Sequence, residues 1–314
     1  MTVDMFFKIF ETVLTVALIM GIGYIAVKKG IADSKVSGVI ANYLVTIAIP
    51  CTIISKLYFL GDLKQALIGI TFASINQIIS LAIGLALAKL FRVKKGLVGT
   101  VACSFAFANS GFVGMPIVYM LFGESAKNIS IYYTISNNLV FWTIGAYFIK
   151  HDAMALGKYE DDGKSALKKI INPPIVTFMV MVVIVALKIK LPTFIVETAD
   201  MLEGTTSPLA IIFCGMILGG IGIKNIKWQK GYSLIMLGRF IVTPLVMVAI
   251  FALYPCDDLF MKVQIVQSAM PVITLVEVAA KKYNADVEYA SIGFVFSLLM
   301  LFVSLPLVYY IAVH

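Results

Sequence analysis

The sequence predicts an all-α polytopic membrane protein whose ten transmembrane helices form two inverted sets of five, and three observations carry that expectation. First, 61% of the 314 residues are hydrophobic and 13% are charged, whereas an average soluble domain carries about 25% charged residues. Second, the apolar residues gather into long runs such as Val13 to Val27 and Ile68 to Ala88, as a hydrocarbon core of roughly 30 Å demands. Third, two proline-bearing patterns recur in both halves of the chain.

With charged and turn-forming residues as boundaries, the spans fall near 5–27, 38–58, 66–90, 97–121, 128–149, 173–190, 204–223, 231–254, 260–280 and 287–312. A cleaved signal is the alternative for the first run. Lys8 alone precedes it, however, and no A-x-A-like site lies before Lys28 and Lys29. The connection 150–172 is the one clearly hydrophilic segment and separates residues 1–149 from 173–314, five spans on each side. Seventeen lysines and arginines collect in this loop and the other loops on its side, against seven on the opposite side, with Arg239 inside a span. The positive-inside bias therefore assigns the first set to the cytoplasm and both termini to the outside.

The formal charge of +8 does not indicate nucleic acid, because the basic residues sit in short clusters between apolar runs rather than along one face. Cys51, Cys103, Cys214 and Cys256 lie within or beside spans without a C-x-x-C pair, and His151 and His314 are the only histidines. Neither a disulfide framework, a metal site nor a cofactor is expected.

Ala41-x-x-Leu44 followed by Pro50 matches Ala199-x-x-Leu202 followed by Pro208 at constant spacing, and Pro116 in span 4 has its counterpart in Pro271 of span 9. A half with an odd number of spans must be followed by one of opposite polarity. The repeat is therefore inverted, a layout found in many secondary carriers.

Spans 4 and 9 carry the chemistry. Proline removes a backbone donor and crowds the carbonyl four residues back, and lipid offers no replacement partners. Asn109, Ser110, Gly111 and Gly114 before Pro116 favour an unwound stretch over a simple kink. The half-helix after such a break presents free N–H groups and a partial positive charge, which suits a carboxylate. Asn109 and Ser110, with Gln264, Gln267 and Ser268 near Pro271, are the candidate coordinating residues. The competing reading is that both prolines bend buried helices and the amides join spans together.

Asn76, Gln77, Asn137, Asn138, Arg239 and Glu277 also lie at membrane depth. A lone charge there costs several kcal/mol, so Arg239 and Glu277 must reach water, snorkel or face a polar interior. Both are candidates for a charge or coupling role. Gly215-x-x-x-Gly219 reads as a close helix contact.

Several segments, in order, resemble the auxin efflux carrier family, which includes plant auxin carriers and shorter bacterial members associated with small dicarboxylates. GYIAVKKGIADSKVSGVIANYLVTIAIP is similar to the family's first loop and second span, and ANSGFVGMPIVYMLFG resembles its N-x-x-x-x-G-x-P signature. INPPIV, GRFIVTPLVM and the closing segment from QSAMPVITLVEVAAKK onward are similar to the family's later spans. The resemblance implies a scaffold of helices 1, 2, 6 and 7 and a transport domain of helices 3–5 and 8–10, in which broken helices 4 and 9 cross. It also implies a homodimer built through the scaffold, in the inner (plasma) membrane of a bacterium for a short member of this kind. By position, Asn109 matches the family's binding asparagine, Ile49 an apolar residue facing the substrate, and Asn138 the place of a glutamine in the plant carriers. The long regulatory loop of the plant members is absent here, and Asn137-Asn138 replaces the glutamine, which disfavours auxin itself.

The expected function is alternating-access transport of small organic anions, carboxylates such as malate or malonate, with elevator-like movement. Nothing in the sequence selects between protons and sodium as a coupling ion. An ion- or solute-conducting channel is the alternative, but it requires a continuous polar lining, and the polar groups cluster at two breaks. No His, Asp, Ser or Cys constellation supports an enzyme.

Overall fold

The structure is a computed structural model in which residues 3–58, 63–158, 173–222 and 226–313 are described. Most of the connection 150–172, including part of the INPPIV segment, lies outside those residues. Fifteen α-helices account for most of what is described: α1 (Val3–Lys28), α2 (Ser34–Tyr43), α3 (Ile49–Tyr58), α4 (Leu63–Leu90), α5 (Val98–Ala106), α6 (Met115–Phe122), α7 (Lys127–Val140) and α8 (Ala146–Ala155) in the first half. The second half has α9 (Pro173–Ala186), α10 (Thr193–Ile221), α11 (Lys230–Leu237), α12 (Thr243–Leu253), α13 (Asp258–Ser268), α14 (Leu275–Lys282) and α15 (Val287–Val313). Among the described residues the only β-type pairing is an isolated antiparallel bridge between Ala108 and Val272.

Among the described residues, five continuous helical stretches are long and apolar enough to cross a membrane: Lys35–Tyr58, Leu63–Leu90, Thr193–Ile221, Lys230–Leu253 and Val287–Tyr309. Leu14–Lys28, Ser110–Phe122 and Pro173–Ala186 are apolar but shorter. Of the five further expected spans, those near 5–27 and 173–190 correspond to the shorter apolar helices, and the other three are missing for two physical reasons. The breaks divide α5 from α6 and α13 from α14, and α7 carries the buried polar residues Ser130, Thr134, Ser136 and Asn137.

Three prolines follow a widened, π-helical turn by two residues: Leu44–Ala48 before Pro50, Ser110–Gly114 before Pro116 and Gly238–Val242 before Pro244. The extra residue in such a turn gives room where the proline ring would press on the preceding turn and no N–H is available. Two of the three become continuous helices through this device. In the third, the turn is entered from extended backbone, and the span is truly interrupted.

Helix ends are fixed by side chains. Asp33 Oδ1 accepts from Lys35 N at 2.8 Å and Val36 N at 3.0 Å to start α2. The start of α5 lacks a capping side chain of its own, and Asp152 from α8 supplies one. Its carboxylate accepts from Gly99 N at 3.0 Å, Thr100 N at 2.6 Å and Thr100 Oγ1 at 2.9 Å.

Helix α10 starts at Thr193 instead of the expected 204. The added turns carry the charged residues Glu197, Asp200 and Glu203. Two of them are satisfied by α3: Ser55 Oγ donates to Asp200 Oδ1 at 2.8 Å, and Lys56 Nζ lies 3.1 Å from Glu203 Oε1.

Helix α1 lies along α10 in backbone contact. A Cβ added to Gly23 would sit 2.0 Å from the Ile212 carbonyl oxygen, and one added to Gly215 would sit 1.9 Å from that of Met20. Gly219 approaches Tyr24 in the same way, so the small-residue pattern does mark a close contact. Helix α3 packs on α9 and α10, while α4 packs on α5, α7 and α12. Outward faces carry exposed Leu18, Ile22, Leu67, Ile78, Met179 and Val183, a surface whose natural solvent is lipid.

Candidate functional site

The two interrupted spans meet through their backbones. Helix α5 stops at Ala106 and the chain runs extended through Phe107. Asn109 N then donates to Pro271 O at 2.7 Å, and Ile273 N donates to Phe107 O at 3.1 Å. These bonds flank the Ala108–Val272 bridge and give each break partners that its own helix has lost. Val272 N finds a further acceptor in Ser297 Oγ of α15, at 2.9 Å.

Arg239 closes the remaining account. It is fully buried, and its guanidinium donates to Phe105 O at 3.1 Å, to Met270 O at 3.0 Å and to Ser268 O. One side chain thereby satisfies carbonyls released at the ends of both α5 and α13. Of the three alternatives open at sequence level, the structure selects the polar interior and not snorkelling. Thr243 Oγ1 adds a bond to Ser268 O at 2.9 Å, and Asn76 Nδ2 donates to Thr243 O at 2.7 Å.

Helix α7 supports the first break from the other side. Asn137 Nδ2 donates to Ala108 O at 2.8 Å and to Ser110 Oγ at 2.7 Å, while Gln77 Nε2 donates to Asn137 Oδ1 at 3.0 Å. Thr134 Oγ1 donates to Ser110 Oγ at 3.2 Å. Asn109 caps the turn that follows, its Oδ1 accepting from Phe112 N at 3.3 Å.

A cleft of about 620 Å³ opens onto this turn. Asn109, Ser110, Gly111, Pro116 and Asn138 line it together, which brings five of the predicted residues to one place. The facing wall comes from α3 and α10, with Thr52 and Lys56 on one and Glu203, Thr206 and Pro208 on the other. Asn109 Nδ2 and the Tyr119 hydroxyl, both of lining residues, are buried without a hydrogen-bond partner. Unpaired buried donors are uncommon, and here they belong to groups suited to an oxygen anion.

The other predicted residues lie elsewhere. Ile49 is buried at the start of α3 and does not line the cleft. Gln264 and Gln267 are fully buried and join α13 to α7, donating to Ile129 O at 3.4 Å and to Ser130 Oγ respectively. Ser268 donates to Ile265 O at 2.6 Å, and Pro271 contributes its carbonyl to the crossing. Glu277 is buried on α14 beside Cys214 of α10 and Ser291 of α15 and does not line the cleft.

Sequence reasoning passed over Lys56, Thr134, Tyr119, Glu203 and Thr274. Thr134 stands one turn before Asn138, a spacing that places both on one helix face. Lys56 and Glu203 stand at the edges of the expected spans 38–58 and 204–223.

The family model described as "Membrane transport protein" matches residues 8–309. The chain belongs to this membrane transport family. Membership agrees with the auxin efflux carrier resemblance, and with apolar helices it makes the chain an integral membrane protein of a transporter family, not an enzyme family. An uncharacterized transporter of Methanocaldococcus jannaschii is 26% identical over 290 residues, covering 88% of this chain and 90% of the relative. An uncharacterized transporter of Methanothermobacter thermautotrophicus is likewise 26% identical, over 309 residues, covering 95% and 96%.

Proposed function

We propose that this family member is a secondary transporter of small organic anions, carboxylates such as malate or malonate, with the substrate held in the cleft at the crossing. The observation that carries this reading is the unpartnered Asn109 Nδ2 at the start of a half-helix lining that cleft. A helix start favours negative charge, and a neutral amide donor adds direction.

Transport proceeds by alternating access between two bodies in a chain of ten spans with an inverted repeat. The scaffold is α1, α2, α3, α9 and α10; the transport domain is α4–α8 with α11–α15. The packing of α1 and α3 against α10, and of α4 against α5, α7 and α12, supports that division. The cleft lies where the two sets face each other, which fits elevator-like movement of the crossing past the scaffold. The charge bias supports a plasma-membrane orientation with both termini outside. The family resemblance supports a homodimer through the scaffold, where α1 and α9 expose Leu18, Ile22, Met179 and Val183.

Reconstituted protein should take up one or more labelled carboxylates saturably, in a panel measured with and without pH and sodium gradients. Asn109→Ala should weaken apparent affinity about ten- to a hundredfold, as expected for a lost hydrogen bond to a charged group. Absence of uptake for every organic anion would sink the proposal, and non-saturating conductance would favour a channel.

A further inference from the structure

Asn109 and Tyr119 bring only neutral donors to the cleft, so neither balances an anion's charge. Among the described residues lining that cleft, Lys56 is the one cation and Glu203 the one carboxylate. They face each other at 3.1 Å, with side chains 17% and 26% exposed. Lys56 stands one turn after Thr52, whose hydroxyl pairs with that of Thr206 at 3.0 Å, and next to Ser55, bonded to Asp200. Both ends of the ion pair are therefore carried on firmly joined helices, α3 and α10.

We propose that Lys56 is the charge-compensating anchor of the anion site and that Glu203 is its resident competitor, displaced when a substrate carboxylate arrives. This rests on the reading of the cleft as an anion site. Lys56 and Glu203 balance each other electrically, because the lysine already holds a carboxylate. An incoming carboxylate replaces that of Glu203 on Lys56, and Glu203, partly exposed, turns to water. Asn109 on the crossing and Lys56 on α3 belong to different walls. A dianion can engage both at once, whereas a single carboxylate must choose. The ion pair thus becomes a determinant of specificity, and it couples occupancy to a contact between α3 and α10.

A purely structural ion pair makes a different prediction. Removing either of its members harms the protein in the same direction, and removing both partly restores it. A competitor pair responds in opposite directions. In proteoliposomes supplied with radiolabelled malonate, or with acetate as the single-carboxylate comparison, Lys56→Gln should raise the half-saturation concentration for malonate about tenfold or more. The acetate value should rise less. Glu203→Gln should lower the malonate value severalfold, because the lysine is then uncontested. The Lys56→Gln/Glu203→Gln double variant should resemble Lys56→Gln.

Equal and same-direction losses in the two single variants, rescued in the double, would overturn the proposal in favour of a structural pair. So would unchanged half-saturation in both while Asn109→Ala still weakens uptake, which leaves the anion site standing without Lys56. Failure of the unaltered protein to transport either acid overturns the inference for these acids, and failure with the whole carboxylate panel overturns the anion reading too. Should Lys56→Gln not fold, the gain expected from Glu203→Gln decides alone.

Discussion

The two breaks in the membrane helices use the same backbone device but live in different surroundings. The first, from Phe107 to Gly114, borders a cleft and leaves Asn109 Nδ2 without a partner. The second, from Ala269 to Thr274, reaches the same cleft at Ile273 and Thr274 but is otherwise enclosed, with Met270 and Val272 fully buried and their carbonyl and amide held by Arg239 and Ser297. A broken helix is therefore not by itself a binding site. What distinguishes the first break is polar capacity left unspent, while the second provides the frame that keeps it in place.

The comparison is broken most severely at Arg239. Replacing it with Met leaves the Phe105 and Met270 carbonyls without that donor, while Ser268 O keeps Thr243 Oγ1, and each orphaned buried acceptor costs about 1–3 kcal/mol. Thermal unfolding in detergent should drop sharply, and transport should vanish with it. If Arg239→Met unfolds like the unaltered protein, the crossing is held by something else.

Gly114 probes the contact between the breaks. A Cβ there would lie 2.0 Å from Gln267 Oε1, so Gly114→Ala should destabilise by about 1–3 kcal/mol, as overpacking does. Shortening the opposing side chain in Gly114→Ala/Gln267→Ala should recover part of that loss. Additive losses in the same melts would show that the two residues do not press on each other.

Asn109→Ala should be the reverse of Arg239→Met, losing substrate affinity while costing only the stability of one cap, roughly 0.5–2 kcal/mol. A melting shift as large as that of Arg239→Met would erase the distinction between the breaks. The smallest effect on affinity is expected at Asp152, which does not line the cleft. Asp152→Ala removes the borrowed cap of α5 and should cost about 1–2 kcal/mol with little change in half-saturation. A strong affinity change there would extend the functional region to the start of α5.

Much of the first break was legible in the sequence. Asn109, Ser110, Gly111 and Pro116 stand consecutively or one turn apart, so local backbone chemistry identified them as a unit. Gln264 and Gln267 were equally conspicuous, yet they join α13 to α7, because amides at membrane depth mark a need for polar partners and not the identity of the partner. Arg239 was legible as expensive, but its three acceptors come from residues remote in the chain. Lys56 and Glu203 escaped notice for the opposite reason. Charges at the edges of apolar runs read as water-facing until tertiary packing sets one against the other.

The backbone seam between α1 and α10 has a mechanical consequence. At Gly23 and Gly215 each helix sits in the other's groove so closely that a single methyl group would collide with a carbonyl. Surfaces meeting through side chains can slip by exchanging rotamers, but a seam of main-chain atoms has no such latitude. Any relative motion in this molecule must therefore be borne along other faces, with α1 and α10 as the fixed ruler against which it would be measured.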